Sequence, residues 1–179
     1  MFILRNEAPA DVGAREALLD GAFGPARFLK ASERIRKGRL PAEGLALVAE
    51  DAAGRLVATV RLWHVSAGGR AALLLGPLAV SPDLQGQGLG ATMMRRAMAA
   101  AADAGHGAVI LVGDPEYYTR FGFSAAPTAR LSMPGPTERR RFLACELRPG
   151  ALQGAAGRIV PTGARIGSVP ALPAAAVAA

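Results

Sequence analysis

Between residues 80 and 92 the chain turns from an apolar strand into a helix through three glycines, and this junction restricts the fold more than any other stretch. Gln85-Gly-Gln-Gly-Leu-Gly-Ala91 follows the nearly all-apolar run Ala71–Val80, the pattern of a central strand covered on both faces. An alanine- and methionine-rich segment then runs through Thr92, Met93, Met94 and Met98 to Ala104, with Gly105 as its left-handed stop. Ala108–Val112 is another buried strand, so strand, helix and strand predict a parallel crossover. Gly86, Gly88 and Gly90 let several N–H groups point at one place, and the following helix adds the positive end of its dipole. A junction of this kind suits a pyrophosphate or similar anion.

The remaining patterns surround that unit. Residues 8–38 read as interrupted helix, with Asp11 as an N-cap and Ala26–Lys37 placing Phe28, Leu29 and Ile35 on one side. Leu45–Glu50, Arg55–Val65 and Ala71–Val80 form an antiparallel meander joined by a turn at Asp51–Gly54 and a loop at Ser66–Arg70. Pro115 opens a short helix through Tyr117, Tyr118 and Arg120 that Gly122 ends, Phe123 begins an extended segment, and Arg141–Leu147 is a further strand. From Pro149 periodicity disappears. The expected organisation is one α/β domain over residues 1–148 and an Ala/Gly/Pro-rich extension, loose or wrapping, over 149–179.

Composition excludes several classes. The chain has 179 residues, enough for one domain, and its 51% hydrophobic content overstates the core because 39 of those residues are alanine. The N-terminus lacks the apolar run of a secretory signal, and no apolar stretch reaches the ~20 residues of a membrane span, so the expected location is cytoplasmic, off the membrane. A lone cysteine, Cys145, forms no internal disulfide and no cysteine metal site, and no metal is expected. The net charge of +7 favours anionic partners, yet no stacking or recognition motif accompanies the arginines, so nucleic acid is not expected.

Which phosphorylated ligand the loop holds is a separate question. No Gly-Lys-Ser/Thr ends the turn, so it is no Walker loop. Gly86-Gln-Gly88-Leu-Gly-Ala91 does satisfy the dinucleotide pattern G-x-G-x-x-A, with Asp114 placed where a ribose-binding acid could sit. Against that reading stand the five-residue spacer Ser81–Gln85 and the preceding meander. Gln85-Gly-Gln-Gly88-Leu-Gly90 resembles the Q/R-x-x-G-x-G/A signature of the GCN5-related N-acetyltransferase (GNAT) superfamily, and Tyr118-Thr-Arg-Phe-Gly122-Phe123 resembles that family's Y-x-x-x-G-F segment. The fuller run from Val112 to Phe123 looks like a bacterial branch of predicted acetyltransferases. The resemblance is strongest over residues 73–126 and agrees in element order from about residue 3 to 148.

The resemblance implies a mixed, mostly antiparallel sheet flanked by helices, in which two splayed strands make a V-shaped cleft for acetyl-CoA. It implies an acetyl-CoA-dependent N-acetyltransferase in which a primary amine attacks the donor directly in a ternary complex. The pyrophosphate would meet Gln85, Gly86, Gln87, Gly88, Leu89, Gly90 and Ala91, and the pantetheine arm would lie beside Leu78, Ala79 and Val80. Gly76 and Pro77 fit the strand interruption that the cleft requires. The Leu78 N–H is the candidate oxyanion donor and Tyr118 the candidate general acid, with Tyr117 as its neighbouring alternative. Arg95 or Arg96 could meet a CoA phosphate. Many relatives carry a glutamate base on the strand before the loop, but Ala71–Val80 holds no acid, which leaves a water chain, His64, His106 or Glu116. The acceptor, a small-molecule amine or a protein or peptide amine, falls to residues 20–45, the hairpin at 63–72 and the C-terminal third. The basic balance disfavours a polycationic acceptor unless Glu33, Glu43 and Glu116 converge. A non-catalytic acyl-CoA sensor and an enzyme binding NAD or S-adenosylmethionine are the alternatives, and monomer and homodimer are both open.

Overall fold

The structure is a computed structural model and describes residues 1–167. Its elements are β1 (Ile3–Asn6), α1 (Val12–Phe23), α2 (Glu33–Arg36), β2 (Ala46–Glu50), β3 (Leu56–Ala67), β4 (Arg70–Val80), α3 (Leu89–Asp103), β5 (Ala108–Val112), α4 (Pro115–Tyr118), β6 (Leu131–Ser132), β7 (Phe142–Glu146) and β8 (Gly157–Pro161). The strands run in the order β1-β2-β3-β4-β5-β7, and β8 pairs with both β3 and β6. Among the described residues only β4 with β5 and β6 with β8 are parallel. This is the mixed, mostly antiparallel sheet expected. It lacks the doubly wound parallel order on which a dinucleotide reading of the glycine loop depends.

Strand alternation divides the core between two faces. On β5, Val109 and Leu111 pack with Met93, Met94 and Ala97 of α3, while Ala108 and Ile110 join Ile35 of α2 on the opposite face. On β4, Leu73 and Leu75 face α3, whereas Ala72 and Leu74 face away. The phase then reverses: Leu78 and Val80 share the α3 side, and Ala79 meets Leu18 and Leu19 of α1. The cause is a bulge. Leu62 pairs with Leu75 and Val60 with Leu78, so Arg61 alone spans Gly76 and Pro77. Pro77 has no N–H to give to a ladder. The parallel pairing of β4 with β5 stops at Leu73–Val109 and Leu74–Ile110, and beyond it the two strands separate into a V.

Several expectations change. Ala26–Lys37 is not one helix: Pro25–Leu29 is a 3₁₀ turn, Lys30 is extended, and α2 spans four residues. Ile35 is buried, but Phe28 and Leu29 are exposed, so the apolar side inferred there has no continuous surface to pack on. Asp11 does occupy the N-cap position of α1, yet its carboxylate turns back to Arg5 and the Ala8 N–H and takes no N–H of α1. Arg139 donates to the carbonyl oxygens of Thr128, Ala129 and Leu131. Two strands carried no usable signal, β1 and β8. The second continues the edge of β3 where β2 leaves off, pairing Val65–Ala67 with Ile159–Pro161. Leu152, Ala155 and Ile159 are buried with Trp63 and Val65. Residues 168–179 lie outside the described part of the chain.

Candidate active site

The loop that leads into α3 leaves an unbroken run of backbone donors. Pro82–Leu84 forms a 3₁₀ turn, and Gly86 and Gly88 follow at φ 78° and 83°, where side chains are strained. Gly88 is the N-cap of α3, and the first bond of that helix runs from the Thr92 N–H to the Gly88 carbonyl oxygen at 3.0 Å. The N–H groups of Gly86 through Ala91 therefore donate to no acceptor among the described residues. The glutamines do not reach outward: Gln85 Nε2 donates to the Val80 carbonyl oxygen and Gln87 Nε2 to that of Asp83, each at 3.3 Å. They brace the loop. Leu89 buries its side chain beneath it.

The loop opens onto the free edge of β4. The Ser81 N–H donates to the Val57 carbonyl oxygen on β3 at 2.8 Å. By strand alternation the Ala79 N–H faces β3 as well, and those of Leu78 and Val80 face the open side of the V. The bulge is fixed from beneath by Trp63, whose Nε1–H donates to the Gly76 carbonyl oxygen at 2.6 Å.

Across the V stand the aromatic residues after β5. The Tyr118 ring packs edge-on against Tyr117 and Phe123. Gly113 makes room for it, since a Cβ there would lie 2.1 Å from Tyr118 Cε2. Burial, with Tyr117 and Asp114 acting in the same direction and Arg141 against, pushes the Tyr118 phenol up to about 12. It stays protonated throughout the neutral range. Tyr117 lies differently: its hydroxyl is 3.1 Å, and Val80 Cγ2 3.5 Å, from where a Cβ on Gly90 would stand. Loop, strand edge and Tyr117 therefore meet. Arg120 stacks over the Tyr117 ring at 4.5 Å and Arg95 lies over Phe121 at 5.8 Å, so both cations flank the loop end. The sequence pattern offered Arg95 or Arg96, of which Arg95 lies over this ring, and nothing in it marked Arg120.

Leu78 and Tyr118 line one cleft of about 470 Å³. Its far wall comes from α1, α2 and the turn between them, with Arg61 and Trp63 of β3 and Arg141. The candidate bases are elsewhere. His64 and His106 pair with each other at 5.3 Å and do not line the cleft, and Glu116 is exposed and bonded to Arg140. Of Glu33, Glu43 and Glu116, only Glu33 reaches the cleft. The acids that do line it, Glu16, Glu33 and Asp114, are each paired with arginine: Arg15 and Arg27, Arg36, and Arg141. Cys145 is half-buried against the core, and its thiol is pushed up by burial.

The chain is similar to known proteins in sequence and fold. Residues 42–125 match the acetyltransferase (GNAT) domain family. The chain is 30% identical over 160 residues to YhbS of Escherichia coli K12, an uncharacterized N-acetyltransferase, across 88% of this chain and 95% of that protein. The crystal structure of the GNAT family N-acetyltransferase YhbS from Escherichia coli in complex with CoA superposes with a TM-score of 0.77 and 29% identity, covering 90% of this chain and 89% of that one. A GNAT family acetyltransferase from Brucella melitensis in complex with acetyl-CoA gives 0.58 and 27%, over 80% and 95% of the two chains.

Proposed function

This chain belongs to the GNAT N-acetyltransferase family, and we propose that it moves the acetyl group of acetyl-CoA to a primary amine by direct attack with both substrates bound. The observation that carries the donor assignment is the run of six unengaged N–H groups, Gly86 to Ala91, at the end of a splayed strand edge. Those donors and the N-terminal end of α3 fit a pyrophosphate, and Arg95 and Arg120 suit its neighbouring phosphate. The open N–H groups of Leu78 and Val80 fit the amides of a pantetheine arm laid along β4 as an added strand.

Acetyl-CoA, when bound, supplies an activated acyl group as a thioester. The Leu78 N–H is then the donor toward the acyl oxygen as negative charge builds there. Tyr118, neutral and half-enclosed, holds a proton at Oη for the departing sulfur. The cationic far wall disfavours an ammonium, so it shifts the acceptor toward the free amine that attack requires. That electrostatic assistance stands in for the absent strand carboxylate.

The test is a thermal shift with acetyl-CoA, CoA, NAD and S-adenosylmethionine in parallel. A ligand at 100 times its Kd stabilises the fold by about 2.7 kcal/mol, and only the two CoA species should do so. No response to either would sink the donor assignment. Binding without thiol release across a broad amine panel would favour an acyl-CoA sensor.

A further inference from the structure

The far wall of the cleft carries more positive charge than its own acids balance. Arg27, Lys30 and Arg36 come from the α1–α2 segment, Arg61 from β3 and Arg141 from the residue before β7. Arg27 is matched by Glu16 and Asp20, Arg61 by Glu7, and Arg141 by Asp114. Lys30 has no carboxylate partner among the described residues, and its ammonium sits 4.4 Å from the centre of the Phe23 ring.

Arg36 is the most informative member. Its side chain is only 9% exposed, yet its Nη2 bond to Glu33 Oε2 at 2.9 Å is the one hydrogen bond it makes among the described residues. A guanidinium offers five N–H donors, and those that Glu33 leaves over are open to the cleft. Nη1 is turned to the bulge, 3.6 Å from where a Cβ on Gly76 would stand. Burial depresses the Arg36 guanidinium despite Glu33, and Arg27 and Arg61 push the same way; burial, Arg36 and Arg141 likewise depress Lys30. A wall of this kind lacks an anion.

Resting on the acetyl-CoA reading above, we propose that the acceptor is a small amine bearing its own acidic group, carboxylate or phosphate, which Arg36 and Lys30 hold. The distance is right for a small molecule. Arg36 Nη1 stands at Gly76, two residues before the Leu78 N–H, so the acidic group lies a few bonds from the nitrogen that attacks. Arg36 holds it through paired N–H donors, and Lys30 closes over it at the mouth.

The experiment compares matched acceptors with saturating acetyl-CoA: phenylalanine, phenylalaninamide and phenethylamine in one set, phosphoethanolamine and ethanolamine in another, and spermidine as the polycation. In at least one set the acidic member should exceed its neutral counterpart by about tenfold or more in kcat/KM, and the set that responds tells carboxylate from phosphate. Arg36→Gln should erase that preference by raising KM for the acidic amine, with the acetyl-CoA thermal shift retained. Lys30→Met, at an exposed side chain, should weaken it in the same sense and serves if Arg36→Gln does not fold. Equal or better use of neutral amines or spermidine, or an equal loss for all acceptors in both variants, would overturn the assignment. If acetyl-CoA binds but no acidic amine turns over or binds the CoA-loaded protein, the acceptor assignment fails and the donor reading stands. If acetyl-CoA itself does not bind, both fall.

Discussion

Tyr118 shows how one side chain acquires a role from its surroundings. In the sequence it is one of two adjacent tyrosines, and only motif position separates it from Tyr117. In the structure the two rings diverge: Tyr118 fills the space Gly113 leaves and lines the cleft, while Tyr117 lies at Gly90 beside the loop. The phenol, raised to about 12 chiefly by burial, gives up its proton only above the range in which amines become nucleophilic. We therefore expect kcat/KM to climb with pH as the acceptor deprotonates, with no falling limb before about pH 10. A falling limb centred near pH 8 would remove the assignment. Tyr118→Phe should lower kcat by roughly 10²-fold with the KM for acetyl-CoA unchanged, as expected for a group that acts on the proton and not on binding.

Single elements owe their position to local irregularities. The bulge at Gly76-Pro77 turns β4 over by one residue, so one strand serves two helices and frees its edge for a ligand. That feature was legible, because Gly-Pro within an apolar run announces an interrupted ladder, and the glycine loop was legible for similarly local reasons. The far wall was not. Its cations come from a 3₁₀ turn, a four-residue helix, β3 and the approach to β7, and no spacing in the chain relates them. The N-terminal strand was equally silent, with four residues and no fully buried side chain. It is tied down by charge: Arg5 bonds both Asp11 and Glu50, joining β1, the start of α1 and β2. Arg5, and the Ala8 N–H with it, holds the Asp11 carboxyl down to about 2 from its ordinary 3.8. A depressed carboxyl stabilises the fold above pH 4, and this contribution is lost as pH falls toward 2. With the partner Arg5 a third exposed, about 1 kcal/mol is a realistic size. Asp11→Asn should lose that amount in denaturant titrations at pH 7, and the gap should close near pH 2. A gap of the same size at both pH values would refute the linkage.

At the scale of the whole molecule, net charge takes on a location. The +7 that composition reports is not spread as a general anionic attraction. The glycine loop at the end of the open β4 edge offers bare backbone donors, and arginines with Lys30 and Lys37 line the cleft. Of the stretch after Pro149, residues 152–161 also belong to the packing. Ile159 is 1% exposed between β3 and β6, and Leu152 and Ala155 lie against the same cluster. Periodicity failed there because β8 buries one side chain in five residues. Ile159→Ala should cost about 2–4 kcal/mol in chemical denaturation, with acetyl-CoA affinity intact in the folded protein. A loss below about 0.5 kcal/mol would mean that this segment rests on the sheet without holding it.

The pairing of Val160 with Ser66, and of Arg39 with Arg165, also orders events on the ribosome. Every residue assigned to the donor is translated before β8, whereas the acceptor side borrows Ile166 from beyond it. The N-terminal part of a chain leaves the ribosome first. The nascent protein thus passes through a stage in which the nucleotide cradle can form while the chamber opposite still lacks one flank. Emergence of Ile166 supplies it.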